Sequence, residues 1–224
     1  MTGRRNQADL SLRPLTCDLT VLSNCDGSSR FCHGNTIVLC SVQGPIDYDT
    51  IGSSVGPVIN CSVKYMSNTC SRLNVSEMES IISNSLGSVI CSSLSRASQI
   101  QVNVLVLDDD GSLLSTALNA AYMALIDASI PCHTMLSSVT LAADQSGRVC
   151  IDPTHDQEQE STSTLALAFG QCEGDRRDIV TSYGDGIISQ QAYFQLIQHA
   201  RSAAQQILAF MSMTLKSRAI QTIS

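Results

Sequence analysis

Apolar residues gather in three short runs over 15–23, 36–43 and 58–66, with turn sequences at Asp26-Gly27-Ser28 and Gly44-Pro45. That pattern predicts three strands. In Ile37-Val38-Leu39-Cys40-Ser41-Val42 both alternating faces are largely apolar, which predicts a strand covered on both sides. Asp47 to Pro57, with Gly52 and Gly56, reads as a connecting loop. The spacing then changes to three and four: Met78, Ile81, Ile82, Leu86, Val89 and Ile90 mark one face of a helix. Ser76 and Glu79 stand at capping-box spacing at its start. Val102, Val104 and Val106 alternate in a strand over about 99–107, which runs into the turn Asp108-Asp109-Asp110-Gly111-Ser112. A small-residue helix leaves that turn with Leu114, Leu118, Ala121, Tyr122 and Leu125 on its apolar side, and Asp110 is expected to cap it. The second half predicts strands near 134–142, 148–152, 163–169 and 178–183. A closing helix follows, with Phe194, Ile197, Arg201, Ala204, Ile207, Leu208, Met211 and Leu215 at helical spacing. Two helices embedded among strands make the chain α+β or α/β.

Residues 1–12 are polar and read as a flexible tail ahead of one domain over 13–218, a division that 224 residues allow. Hydrophobic residues are 43% and charged ones only 15%, so the core is substantial. The surface is either an ordinary Ser-rich one or one that partners cover. The net charge of −7 excludes a stand-alone nucleic-acid binder, because phosphate neutralisation supplies most of such affinity. Local contact with RNA remains open at Arg4-Arg5, Lys64, Arg96, Arg176 and Arg177. Of the ten cysteines, Cys17, Cys40, Cys61 and Cys91 lie in apolar segments, where a thiol serves as a small hydrophobe. No pair has zinc-ligand spacing, and His33, His133, His155 and His199 are scattered. Reduced thiols in a soluble intracellular protein are expected, with no membrane contact, no metal and no cofactor.

The candidate chemistry lies at Asp108 to Ser115. A strand-to-helix turn presents backbone N–H groups able to hold a phosphate, and an enzyme would add arginine or lysine there. This chain offers Leu113 and Leu114 instead. The carboxylates Asp152, Asp156, Glu158 and Glu160 suggest either a divalent-metal site or a solvated loop in which Asp152 caps the local turn. The loop is favoured. Tyr122 and Met123 read as core or interface rather than a stacking platform, and Phe194 and Phe210 as packed beneath a sheet.

Several segments together resemble the RNase PH-like family of phosphorolytic exoribonucleases and its inactive relatives. They are Leu12-Arg13-Pro14-Leu15, Asp26-Gly27-Ser28-Ser29, Gly34-Asn35-Thr36 and Gly44-Pro45 in the first part of the chain. Asp109-Asp110-Gly111-Ser112-Leu113-Leu114, Asn119-Ala120-Ala121 and Ile151-Asp152-Pro153-Thr154 follow. The resemblance implies an α+β, ribosomal protein S5 domain 2-like fold of layered sheets and helices with an internal βαβ crossover. It also implies hetero-oligomeric rings, as in the RNA exosome, built with other RNase PH-like subunits and cap subunits around an RNA channel. A nuclear and nucleolar, also cytoplasmic, location comes with it. The phosphate-gripping turn of active members falls on Leu113, Leu114 and Ser115. Their helix arginines fall near Asn84 and Gly87, and their two aspartates on Asp156 and Thr162. The expectation is a non-catalytic ring subunit for RNA, including ribosomal RNA, processing and degradation. The alternative is a self-associating phosphorolytic or metal-dependent nuclease using Asp156 and its acidic neighbours.

Overall fold

The computed structural model describes residues 11–47, 57–66, 74–91, 98–144, 148–171 and 177–223. Strands β1 (Leu15–Leu19), β2 (Gly27–His33) and β3 (Thr36–Asp47) form an antiparallel meander. β4 (Val58–Tyr65), α1 (Val75–Gly87) and β5 (Ser98–Asp108) follow as a βαβ unit, β4 and β5 being parallel. Together they make a five-stranded sheet in the order β1-β2-β3-β5-β4. After α2 (Leu113–Asp127) come β6 (Leu136–Ala143), β7 (Val149–Ile151), α3 (His155–Glu160), β8 (Ser163–Gln171), β9 (Arg177–Gly186) and the long α4 (Gln190–Ile223). Their strands make a second sheet, β7-β6-β8-β9.

The layers explain the burial. α2 packs on β2 and β3 on one side and on β6 on the other, and every residue from Leu113 to Leu125 is buried. The sequence marks one apolar side of this helix, but its alanines let both sheets close on it. β6 is buried along its whole length because α4 covers its other face. The first sheet is different. Along β3 and β5 only alternate residues are buried, such as Val38, Cys40, Val102 and Val104, while Ile37, Leu39 and Leu105 are half-exposed. Among the described residues, the expected double coverage of β3 is therefore absent. β3 also runs past Gly44-Pro45 to Asp47 by way of a bulge between Gln43 and Ile46.

Three local expectations change. Asn74, not Ser76, caps α1, accepting from the Ser76 N–H at 3.4 Å. Glu79 instead accepts from the Val63 N–H of β4 at 2.9 Å, tying the helix to its sheet. The acidic segment predicted as a loop forms α3, closed by a capping box between Thr154 and Gln157. Phe194 is 57% exposed rather than packed, whereas Phe210 meets Phe31 edge-on at 6.0 Å.

The eight described cysteines are free thiols. Burial, aided by neighbouring Asp18 for Cys17 and Glu79 for Cys61, pushes both thiols up to about 12. They stay protonated and serve as packing. No described helix is long and apolar enough to cross a membrane.

Gly27 lets β2 approach the end of α2. A Cβ there would fall on the backbone of Ala124 and Ala128. Because both obstacles are main chain, Gly27→Ala is expected to cost about 3 kcal/mol, the top of the overpacking range, measured by urea unfolding.

Candidate functional site

The strand β5 ends at Asp108, and the chain turns through Gly111 (φ +85°) and Ser112 (φ +56°) into α2. A Cβ on Gly111 would meet the backbone of Pro153, Thr154 and His155, so glycine is required where α3 closes over the turn. Ser112 is the N-cap, yet its side chain makes no capping bond; its hydroxyl donates to Pro153 O at 3.1 Å. Asp110 does not cap the helix either. Its Oδ2 accepts from Asn35 Nδ2 at 3.1 Å and lies 3.6 Å from Arg13 Nη1. The carboxylate at the helix N-terminus belongs to Glu158, whose Oε1 accepts the Ser112 N–H at 2.7 Å. An anion in that position is favoured by the helix dipole. The protein supplies it from within.

Beside this corner lies a cavity of about 60 Å³, lined by Leu113, Leu114, Thr140, Thr164, Ala166 and Tyr183 together with Asp109, Glu158, Asp185 and His155. Leu114 is 3% exposed. Ser115 is fully buried and turned inward: its hydroxyl donates to Ser112 O at 2.9 Å and accepts from Thr140 Oγ1 at 3.0 Å. Burial raises the Asp109 pKa, against the Gly111 N–H bond and the His155 charge that lower it. The lining thus combines two leucines and an alanine, three acids, the hydroxyls of Thr140, Thr164 and Tyr183, and His155.

A guanidinium does reach the outer side of this turn. Arg13 donates from Nη1 to Asp110 O at 2.8 Å, and from Nη2 to Gly111 O at 3.2 Å and Asp152 Oδ1 at 2.7 Å. Arg13 does not line the cavity. Asp152, expected to cap a solvated turn, is instead 2% exposed and also accepts the Arg13 backbone N–H at 3.2 Å. His33 Nδ1 lies 3.3 Å from Asp152 Oδ1. Asn119 fixes the tautomer of that ring. Its Oδ1 accepts from Ser138 N and its Nδ2 donates to Ser138 O, so the Nδ2 that faces His33 Nε2 at 3.2 Å is a donor. The His33 proton therefore sits on Nδ1, toward Asp152. Thr36 Oγ1 completes the clasp, donating to Gly111 O at 2.6 Å and accepting from Asp110 N at 3.0 Å.

Of Leu113, Leu114 and Ser115, on which the resemblance places the phosphate-gripping turn, the two leucines line the cavity and Ser115 does not. Asp156 and Thr162 are not part of the cavity. Asp156 is exposed on α3, and the Thr162 hydroxyl donates to Ala143 O at 3.0 Å. Glu158 and Thr164 line the cavity instead. Asn84 and Gly87 are exposed on α1. Lys64 is exposed on β4, facing away from the buried Val63 side; Arg96 and Arg176 lie outside the described residues, as does the side chain of Arg177. Among the described residues, no three His, Cys, Asp or Glu side chains form a group able to hold a metal ion.

The profile of the 3′ exoribonuclease family, RNase PH domain 1, matches residues 11–131. The chain belongs to this family. It is 32% identical over 163 residues to the exosome complex component RRP46 homolog of Caenorhabditis elegans, covering 73% of this chain and 74% of that protein. It is 28% identical over 222 residues to the exosome complex exonuclease RRP46 homolog of rice (Oryza sativa), covering 93% of each. The crystal structure of rice Rrp46 superposes with a TM-score of 0.83 over 94% of this chain and 98% of that one. An Archaeoglobus fulgidus exosome chain, from a structure with RNA bound to its active site, matches in fold with a TM-score of 0.76 at 17% identity, over 88% of each chain. The family membership accounts for the α+β layers and for the βαβ crossover through α1.

Proposed function

We propose that this chain is a non-catalytic RRP46-type subunit of an RNA exosome core ring. It supports 3′-to-5′ RNA processing and degradation, including that of ribosomal RNA, by completing the ring and flanking its channel. Its partners are other RNase PH-like subunits and cap subunits, and it works in the nucleus and nucleolus and also in the cytoplasm. The similarity to RRP46 homologs over nearly the whole chain supports the assembly role.

The observation that carries the non-catalytic reading is that Leu113 and Leu114 stand at the start of α2, in a cavity whose described lining holds no arginine or lysine and, beside Asp109, Glu158 and Asp185, only His155 as a candidate cation. Phosphorolysis drives an inorganic phosphate against an anionic phosphodiester, and the barrier falls only where cations compensate. Leucine contributes neither charge nor a donor, and desolvating an anion against it costs several kcal/mol. The half-exposed apolar residues Ile37, Leu39 and Leu105 and the exposed Phe194 and Ile187 fit a subunit whose surface is completed by neighbours.

Two measurements test this. Tagged protein is expected to co-purify with RNase PH-like subunits in a complex of fixed stoichiometry; recovery as a lone monomer would count against the assembly role. Purified chain is expected to release no nucleoside diphosphates from 3′-labelled single-stranded RNA with phosphate, and phosphate-dependent release would overturn the non-catalytic reading.

A further inference from the structure

We infer that the solvent face of α4 docks a different protein, one that sets carboxylates against Arg201 and Lys216. α4 is 34 residues long, and none of the chain's 20 Asp and Glu residues falls in it. Its inner side holds Leu196, Ala200, Ile207 and Met211, all buried, and Arg218 turns to Asp127. On the outer side Phe194, Gln198, Arg201, Gln205 and Lys216 are all exposed, and helical geometry sets them in one stripe about 60° wide. Phe194 is 57% exposed, and Met213, beside the stripe, 61%. Among the described residues neither Arg201 nor Lys216 forms an ion pair. The stripe therefore offers an aromatic ring, neutral amides and two cations about 22 Å apart along the helix, with no acid of its own to answer them.

These features select the occupant. Apolar area mixed with neutral donors is what a protein interface buries. Covering the stripe takes water from two cations, which is unfavourable unless the partner brings carboxylates to them. A second copy related by a two-fold axis would set α4 on α4, cation facing cation, with no carboxylate on either helix. RNA fits less well, because phosphate neutralisation carries such binding and two cations at this spacing meet few phosphates. The occupant is thus a different protein whose apolar surface is flanked by acids. The inference requires a partner but not a ring, and it does not involve the cavity.

The test uses tagged protein purified from its own cells together with what it binds. A water-soluble carbodiimide then condenses amines with carboxylates in contact, taking up the water as its urea. Peptide mass spectrometry is expected to find Lys216 Nζ joined by an amide to an Asp or Glu of another protein. Lys216→Arg is expected to lose that crosslink and keep the partner, since the charge stays. Arg201→Glu combined with Lys216→Glu is expected to hold the partner about tenfold more weakly, the order of effect for two reversed contact charges, with an unchanged unfolding midpoint. Changing the crosslinked carboxylate of the partner to lysine is expected to restore binding by the double variant. The inference is overturned if Lys216 couples to nothing, or only within its own chain or to a second copy. Full retention of the partner by the double variant would overturn it too, as would RNA joined to α4 by ultraviolet light in the protein's place. Ring subunits recovered without the crosslink would overturn this inference and leave the ring reading intact. A crosslinked partner recovered without ring subunits would do the reverse.

Discussion

Replacing Asp152 by Asn is expected to destabilise the protein by about 3–5 kcal/mol, the range for breaking a buried ion pair from one side. The Asp152 side chain is fully buried, and the Arg13 side chain that it holds is 14% exposed. Asparagine keeps the shape but loses the charge, so the guanidinium remains against Asp110 O and Gly111 O with only the longer, partly exposed Asp110 carboxylate contact at 3.6 Å to offset it. The backbone at Asp152 has φ +54°, a conformation that asparagine tolerates, so the effect is electrostatic rather than steric. The acid dependence follows from the same geometry. Burial alone would raise the Asp152 pKa, but hydrogen bonds from His33 and Arg13, with the Arg13 charge, outweigh it and hold the carboxyl well below its ordinary 3.8. A carboxyl depressed in the folded state adds stability above its unfolded value and loses it as pH falls through the folded one. Urea unfolding at about pH 7 and about pH 3 should therefore show the gap between wild type and variant narrowing in acid. A gap independent of pH would mean that the carboxylate charge is not what holds the clasp.

A loss of about 1–3 kcal/mol, the cost of an unmet buried donor, is expected for Asp127→Ala at the other end of α2. The Asp127 side chain is 2% exposed and pairs with Arg218 of α4. It also accepts from Ser28 N at 2.8 Å, from Thr20 N at 3.1 Å and from Thr20 Oγ1 at 3.1 Å. Truncation leaves the N–H of the buried Ser28 without its acceptor, and an unmet buried donor costs more than its bond gains; the donors of exposed Thr20 turn to water or, for its N–H, to Ser28 O. Arg218→Ala should be much milder, about 1 kcal/mol or less, because that side chain is 38% exposed and water replaces it. Thermal or urea unfolding of the two single variants measures the asymmetry. Equal losses would show that the ion pair, not the backbone anchoring, carries the energy.

Periodicity made most of the fold legible. Strict alternation at Val102, Val104 and Val106 marked β5, and three-and-four spacing marked α1 and α4. What it missed depended on distant groups. Helix starts were assigned to local carboxylates and hydroxyls, yet Glu79 went to β4 and Asp110 to Asn35 and Arg13. The carboxylate that reached α2 came from 46 residues downstream. Coverage of β3 was misjudged because an apolar outer face says nothing about what covers it within one chain. At the site, Leu113 and Leu114 were legible because the pattern around them is local. Asp156 and Glu158 were not separable by sequence. Residues two apart on a helix differ by about 200° in direction, so Asp156 faces solvent while Glu158 lines the cavity. The role of Arg13 had a visible signal in Leu12-Arg13-Pro14, but no local partner to reveal its task.

The Arg13 clasp has a consequence for biosynthesis. Its guanidinium and Asp152 are separated by 139 positions, and the loop between them must close before the two charges meet. Emerging from the ribosome, the first sheet can pair its strands while the corner that Arg13 secures stays open until β7 has been translated. Locking of that corner is a late event in maturation, and such distant pairings favour slow folding. Until then Arg13 has only Asp110, 97 positions away, to offset its charge.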